Sequence, residues 1–104
     1  MLHQNSPSDC TSAEFEKAAI KRFRTLALCI PSDCKVFREP WGNHTVVCLD
    51  FQACPNQLEI TKKKAHLLIK AAQELGLAQS VIFRVEKKVM GWKKIPAENY
   101  TSKQ

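Results

Sequence analysis

Glycine is scarce, with three residues in a chain of 104. The glycine-rich loops that cradle phosphates in nucleotide-binding folds are thereby excluded, because they need several glycines at fixed spacing. Long apolar runs are also missing: nothing approaches the roughly eighteen consecutive apolar residues of a bilayer span, so no membrane partner is expected. The opening stretch Met1-Leu2-His3-Gln4-Asn5-Ser6-Pro7 has neither the basic start nor the apolar core of a secretory signal. The expected location is therefore the cytoplasm. Five cysteines are present, an odd number without an export signal, which argues against a disulfide framework. Their spacings, Cys29 to Cys34 and Cys48 to Cys54, miss the C-x2-C knuckles of structural zinc sites, so neither metal nor other cofactor is expected.

What is present suits one small globular domain. Hydrophobic residues make up 44% and charged residues 25%, proportions that set disordered, collagenous and coiled-coil classes aside. The chain is too short for a second core. Residues 1–10 read as a flexible lead-in, 11–95 as the domain, and 96–104 as a polar tail.

Thr11 and Glu14 have capping-box spacing, so a first helix is expected from Ser12, with Phe15, Ala19, Phe23, Leu26 and Ile30 on one face and Pro31 as its stop. Two β-prone stretches follow, Cys34 to Glu39 and His44 to Phe51, around the turn Pro40-Trp41-Gly42-Asn43, with Thr45, Val47, Leu49 and Phe51 expected on the core face of the second. A second helix from Thr61 to Leu75, ended by Gly76, buries Ala65, Leu68, Ala72 and Leu75, widened by Ile69. The alternation from Ser80 to Trp92 reads as one long strand with Val81, Phe83 and Val85 inward. The order α-β-β-α-β predicts an α+β fold: a three-stranded sheet with both helices packed on one face. The other face is then open, and Val46, Cys48 and Ile82 on it are the candidate contact residues for a homodimer or another protein.

Charge supplies the second functional reading. Residues 1–60 hold six basic and seven acidic groups, whereas residues 61–104 hold ten basic and three acidic. A basic half suits a polyanion such as nucleic acid, since clustered cations gain by releasing condensed counterions; the plain alternative is a solvated, solubilising surface. Two clusters carry the excess. Lys62, Lys63 and Lys64 fall at the expected start of the second helix, against the positive end of its dipole, where they would strengthen an anion site. Arg84, Lys87, Lys88, Lys93 and Lys94 surround Trp92, and on a regular strand Lys88 and Trp92 share a face, pairing a cation with a stacking ring. Packing of Trp92 and protection of a strand edge are the structural alternatives.

Catalysis has weaker support. Cys48 or Cys54 with His44 or His66, oriented by Asp50, is the nearest to a nucleophile and base, yet His44 and Cys48 stand about 13 Å apart along a strand. The residues therefore favour a non-catalytic module whose basic second half engages nucleic acid or another polyanion, with the interacting or homodimerising subunit as the alternative.

Overall fold

The computed structural model describes residues 5–96, with side chains from Ser12 onward. Of the end segments expected at residues 1–10 and 96–104, residues 1–4 and 97–104 lie outside it, while residues 5–10, expected as a lead-in, belong to the first helix, which starts at Asn5 and not near Ser12. Helix α1 (Asn5–Ala27) leads into strands β1 (Lys35–Trp41) and β2 (His44–Asp50); helices α2 (Leu58–Lys63) and α3 (Ala65–Leu75) precede β3 (Ser80–Val85) and β4 (Lys88–Lys94). The α+β class holds, but the sheet has four strands in the order β1-β2-β3-β4, not three. Both outer pairs are antiparallel hairpins, while β2 and β3 run parallel, joined by the crossover through α2 and α3.

The extra strand comes from a reversal concealed in the run expected as one strand. Glu86 turns the chain with φ +59, a left-handed conformation that costs a non-glycine residue about 1–2 kcal/mol. The turn holds because the Glu86 N–H donates to Asp50 Oδ1 at 2.9 Å and Arg84 Nε donates to the Glu86 carbonyl at 2.7 Å. Gln52 Nε2 adds a bond to Glu86 Oε2 at 2.8 Å. Asp50 Oδ1 also accepts from the Gln52 N–H at 3.0 Å, so a single carboxylate ties the chain leaving β2 to the turn between β3 and β4. The first hairpin needs no such brace, because Gly42 takes φ +66 at the first central position, where a type II′ turn calls for glycine.

The first helix differs from expectation at both ends and on its face. It stops at Ala27, where Leu28 adopts φ 62 and donates its N–H to the Arg24 carbonyl at 3.1 Å, ahead of Pro31. Ile30 thus lies beyond the helix. The inward line is Ala19, Phe23 and Ala27, whereas Phe15 is 70% exposed and Leu26 is also exposed. One turn before Ala19, Glu16 faces Arg38 of β1 in an ion pair. Arg38 Nη1 also donates to the Leu77 carbonyl at 2.9 Å, linking α1, β1 and the exit of α3. That pairing holds the Glu16 carboxyl below its ordinary value, so its contribution to stability is present near neutrality and is lost on acidification through the lowered value.

The second helix divides at Lys64, whose φ −106 and ψ 25 break the α geometry. Thr61 is consequently a buried member of α2 and not a cap. Gly76 does end α3: with φ +59 it lets the Leu77 N–H reach the Ala72 carbonyl at 2.9 Å and its own N–H reach Gln73 at 3.2 Å, the bond pair of a Schellman stop. The main core lies between the helices and one sheet face, built from Phe23, Leu68, Val47, Leu49, Phe51, Val81 and Phe83, the strand residues expected inward.

The four described cysteines beyond Cys10 are free thiols, and three of them, Cys34, Cys48 and Cys54, are buried. Burial pushes Cys34 up to about 12 and Cys48 up to about 11, from an ordinary thiol value of 9.0. A raised folded value favours the protonated form, so these groups add stability below pH 9 that is lost as pH rises toward those values.

Two outcomes follow. Site-resolved alkylation at neutral pH should label the half-buried Cys29 well before Cys34 and Cys48, with equal labelling in denaturant; equal native rates would show that the core is not closed around them. Asp50→Ala should cost about 2–4 kcal/mol in denaturant unfolding, since it strips two backbone donors of a charged acceptor, while Asp50→Asn should cost roughly half as much. An Ala variant as stable as wild type would remove Asp50 as the brace of the turn.

Candidate nucleic-acid interface

The lysine triplet does not sit where the sequence placed it. Because the helix divides at Lys64, Lys62 and Lys63 occupy the last turn of α2, where a cation complements the helix dipole. The expected electrostatic penalty at a helix start is thus absent for these two. Lys62 leans away from α2 onto β4: its Nζ donates to the Met90 carbonyl at 3.1 Å and lies 3.9 Å from Glu59 Oε2. Gly91 makes that path possible. A Cβ there would stand 3.1 Å from Lys62 Cε and 3.3 Å from its Nζ, so the missing side chain is the notch the lysine crosses. Lys63 and Lys64 are exposed on the helical layer.

Strand β4 is a sheet edge, exposed along nearly its whole length. Its pairing with β3 slips between Phe83 opposite Gly91 and Arg84 opposite Val89, which leaves Met90 as an extra residue in a β-bulge. One extra residue inverts the side-chain alternation beyond it. Lys88 pairs with Val85, which packs on the main core, whereas Trp92 pairs with Ile82 on the opposite face. Lys88 and Trp92 therefore do not share a face, contrary to the regular-strand expectation. Lys93, opposite Val81, joins Lys88 and Lys62 on the helix side, while Lys94, opposite Ser80, joins Trp92 on the open side. Lys87 is exposed in the turn between β3 and β4. The edge strand thus presents cations to both sides, with a ring that is 56% exposed among them.

Arg84 belongs to a different arrangement. Its guanidinium lies 5.0 Å from the centre of the Phe37 ring, with Glu39 Oε2 at 3.4 Å and Asp50 Oδ2 at 3.9 Å. With Nε committed to the Glu86 carbonyl, this cation is held inside the protein's own network. Beneath it, Val46, Cys48 and Ile82 form a second small cluster with Phe37 against them. Their exposures are 3%, 0% and 1%, which corrects the expectation that Val46 and Ile82 stand uncovered on the open face. The cause is lateral: in a four-stranded sheet β2 and β3 are central, and long side chains of neighbouring positions close over the short ones. The exposed apolar groups of this face are instead Trp41, Val89 and Trp92, all on its edge strands.

At the end of the sheet where β2 and β3 begin, Trp92 and Lys94 also line an open groove of about 890 Å³. His44, Ser80, Gln79 and Gln73 supply its polar groups, and the C-terminal turn of α3 forms one wall. Two of these side chains are fixed by backbone partners: Gln79 Oε1 accepts from the Thr45 N–H at 2.7 Å, and Gln73 Nε2 donates to the Pro96 carbonyl at 3.1 Å. The glutamines escaped the sequence reading because nothing in their spacing signals a site; the β3–β4 hairpin sets Gln79 beside the end of β4, and the packing of α3 brings Gln73 to Pro96. The catalytic candidates are not assembled. Cys48 lies under Arg84, His44 and His66 are exposed, and Asp50 is engaged by the turn.

No protein-family model, curated protein or solved structure matches this chain, so the geometry above carries the functional reading.

Proposed function

We propose that the protein is a non-catalytic binding module that engages nucleic acid along strand β4. The observation that carries the reading is spatial: Lys62, distant in the chain from β4, lies across Gly91 and joins Lys88 and Lys93, with Trp92 and Lys94 on the other side of the same edge. Cations on both sides of one exposed strand suit a flexible anionic backbone that tracks along it. An exposed ring beside them suits an unpaired base, since stacking needs a free face and no particular base identity. Among the described residues, Lys87, Lys88, Lys93 and Lys94 have no ion-pair partner within 4.0 Å, so their charge is available. Arg84, paired with two carboxylates, takes no part. Contact with a protein through Val46, Cys48 and Ile82 has less to recommend it, because those side chains have almost no surface to offer.

The salt dependence of binding tests the reading. For labelled single-stranded oligonucleotides, log affinity should fall linearly with log salt, and the Lys88→Gln, Lys93→Gln, Lys94→Gln triple variant should reduce the slope by about 2, at roughly 0.7 per phosphate contact. Lys63→Gln with Lys64→Gln should leave the slope nearly unchanged, since those residues lie on the helical layer. No binding at about 50 mM salt, or an equal slope in wild type and triple variant, would overturn the assignment.

A further inference from the structure

We propose that the groove at the end of the sheet seats one unpaired nucleobase of a bound strand, with Trp92 as its stacking surface and Gln79 and Gln73 addressing its hydrogen-bonding edge. This deepens the nucleic-acid reading of β4 and rests on it. Trp92 and Lys94 belong to both places, so a strand that follows the edge arrives at the groove without a change of direction. The volume of about 890 Å³ is in the range of small-molecule sites, roughly 300–1,000 Å³, and accommodates a base with its sugar.

The chemistry of the walls selects a base over a phosphate. The C-terminal turn of α3 forms one side, and helix carbonyl ends carry partial negative charge that repels an anion but attracts N–H donors. Neither Asp nor Glu is among the described lining residues, and Lys94 supplies the positive charge, where a backbone phosphate would rest. The two glutamines are oriented by the backbone bonds they already make. With its oxygen held by Thr45, Gln79 offers an NH2 donor; with its NH2 held by Pro96, Gln73 offers a carbonyl acceptor. Every nucleobase presents both donors and acceptors on its pairing edge, and in a duplex that edge is occupied. The groove therefore discriminates unpaired from paired bases more than one base from another.

The test compares the full chain's affinity for a labelled single strand, the same-length abasic phosphodiester strand, and the duplex. The base-bearing strand should bind about 5- to 150-fold more tightly than the abasic one, the range expected of one stacked base. Trp92→Leu should collapse that ratio and Trp92→Phe should restore much of it. Gln79→Glu keeps an oxygen for the Thr45 N–H but removes the donor, and should lower the ratio about 2- to 10-fold. Its added charge weakens both strands alike, so the ratio isolates the base contact. Thermal melts of each variant establish that the fold is kept. Equal affinity for base-bearing and abasic strands, or a ratio unmoved by both Trp92→Leu and Gln79→Glu, overturns the groove assignment and leaves the polyanion reading standing. Failure to bind either strand overturns the reading on which it rests.

Discussion

The carboxylate of Asp50 holds together the half of the sheet that matters most. It accepts two backbone N–H groups from segments far apart in the chain, Gln52 and Glu86, while its second oxygen faces Arg84. Without that acceptor the left-handed Glu86 keeps only its bonds to Arg84 and Gln52 against its backbone strain, and its own N–H loses its partner in the reversal that separates β3 from β4. Strand β4 follows from this turn, as do the bulge, the placement of Trp92 and the outer wall of the groove. An anion near a basic surface is thus put to structural use, and its charge is spent on backbone groups and on Arg84 instead of on the neighbouring lysines.

The same economy governs the open sheet face. Arg84, Glu39 and Phe37 close laterally over Val46, Cys48 and Ile82, giving the protein a small second core with no covering layer of helices. A two-layer domain of this size usually leaves such a face to a partner or to water. Here the apolar centre is roofed by an ion-paired cation over a ring, and the exposed aromatic side chains of this face, Trp41 and Trp92, stand on its opposite edges.

How much of this the sequence disclosed depended on whether a signal was local. The inward residues of β2 and β3 were legible because alternation is intrinsic to a strand, and the reversal after β1 and the end of α3 were legible because Gly42 and Gly76 adopt the positive φ that glycine permits, although β1 runs on through Pro40 and Trp41, which were expected in the turn. The β3–β4 turn was hidden because Glu86 and Lys87 are not turn formers; the acceptor for the Glu86 N–H is the carboxylate of Asp50, far off in the chain. The division at Lys64 was hidden in a run with good helix propensity throughout. On the α1 face, periodicity alone ranked Phe15 and Leu26 with Phe23, yet the helix makes an inward line of Ala19, Phe23 and Ala27 and turns Glu16 toward Arg38. The basic clusters were visible as composition, but whether Lys62 joined β4 or stayed on the helix depended on the notch at Gly91.

The bulge at Met90 gives the last strand a parity. Side chains alternate with period two, so the number of residues between the turn and Trp92, counted as odd or even, decides which layer of the molecule receives the ring. The rule ignores residue identity: gain or loss of one position exchanges the two faces, whereas gain or loss of two restores them. The length of this hairpin thus fixes the side of the sheet on which Trp92 stands, independently of which residues fill the other positions.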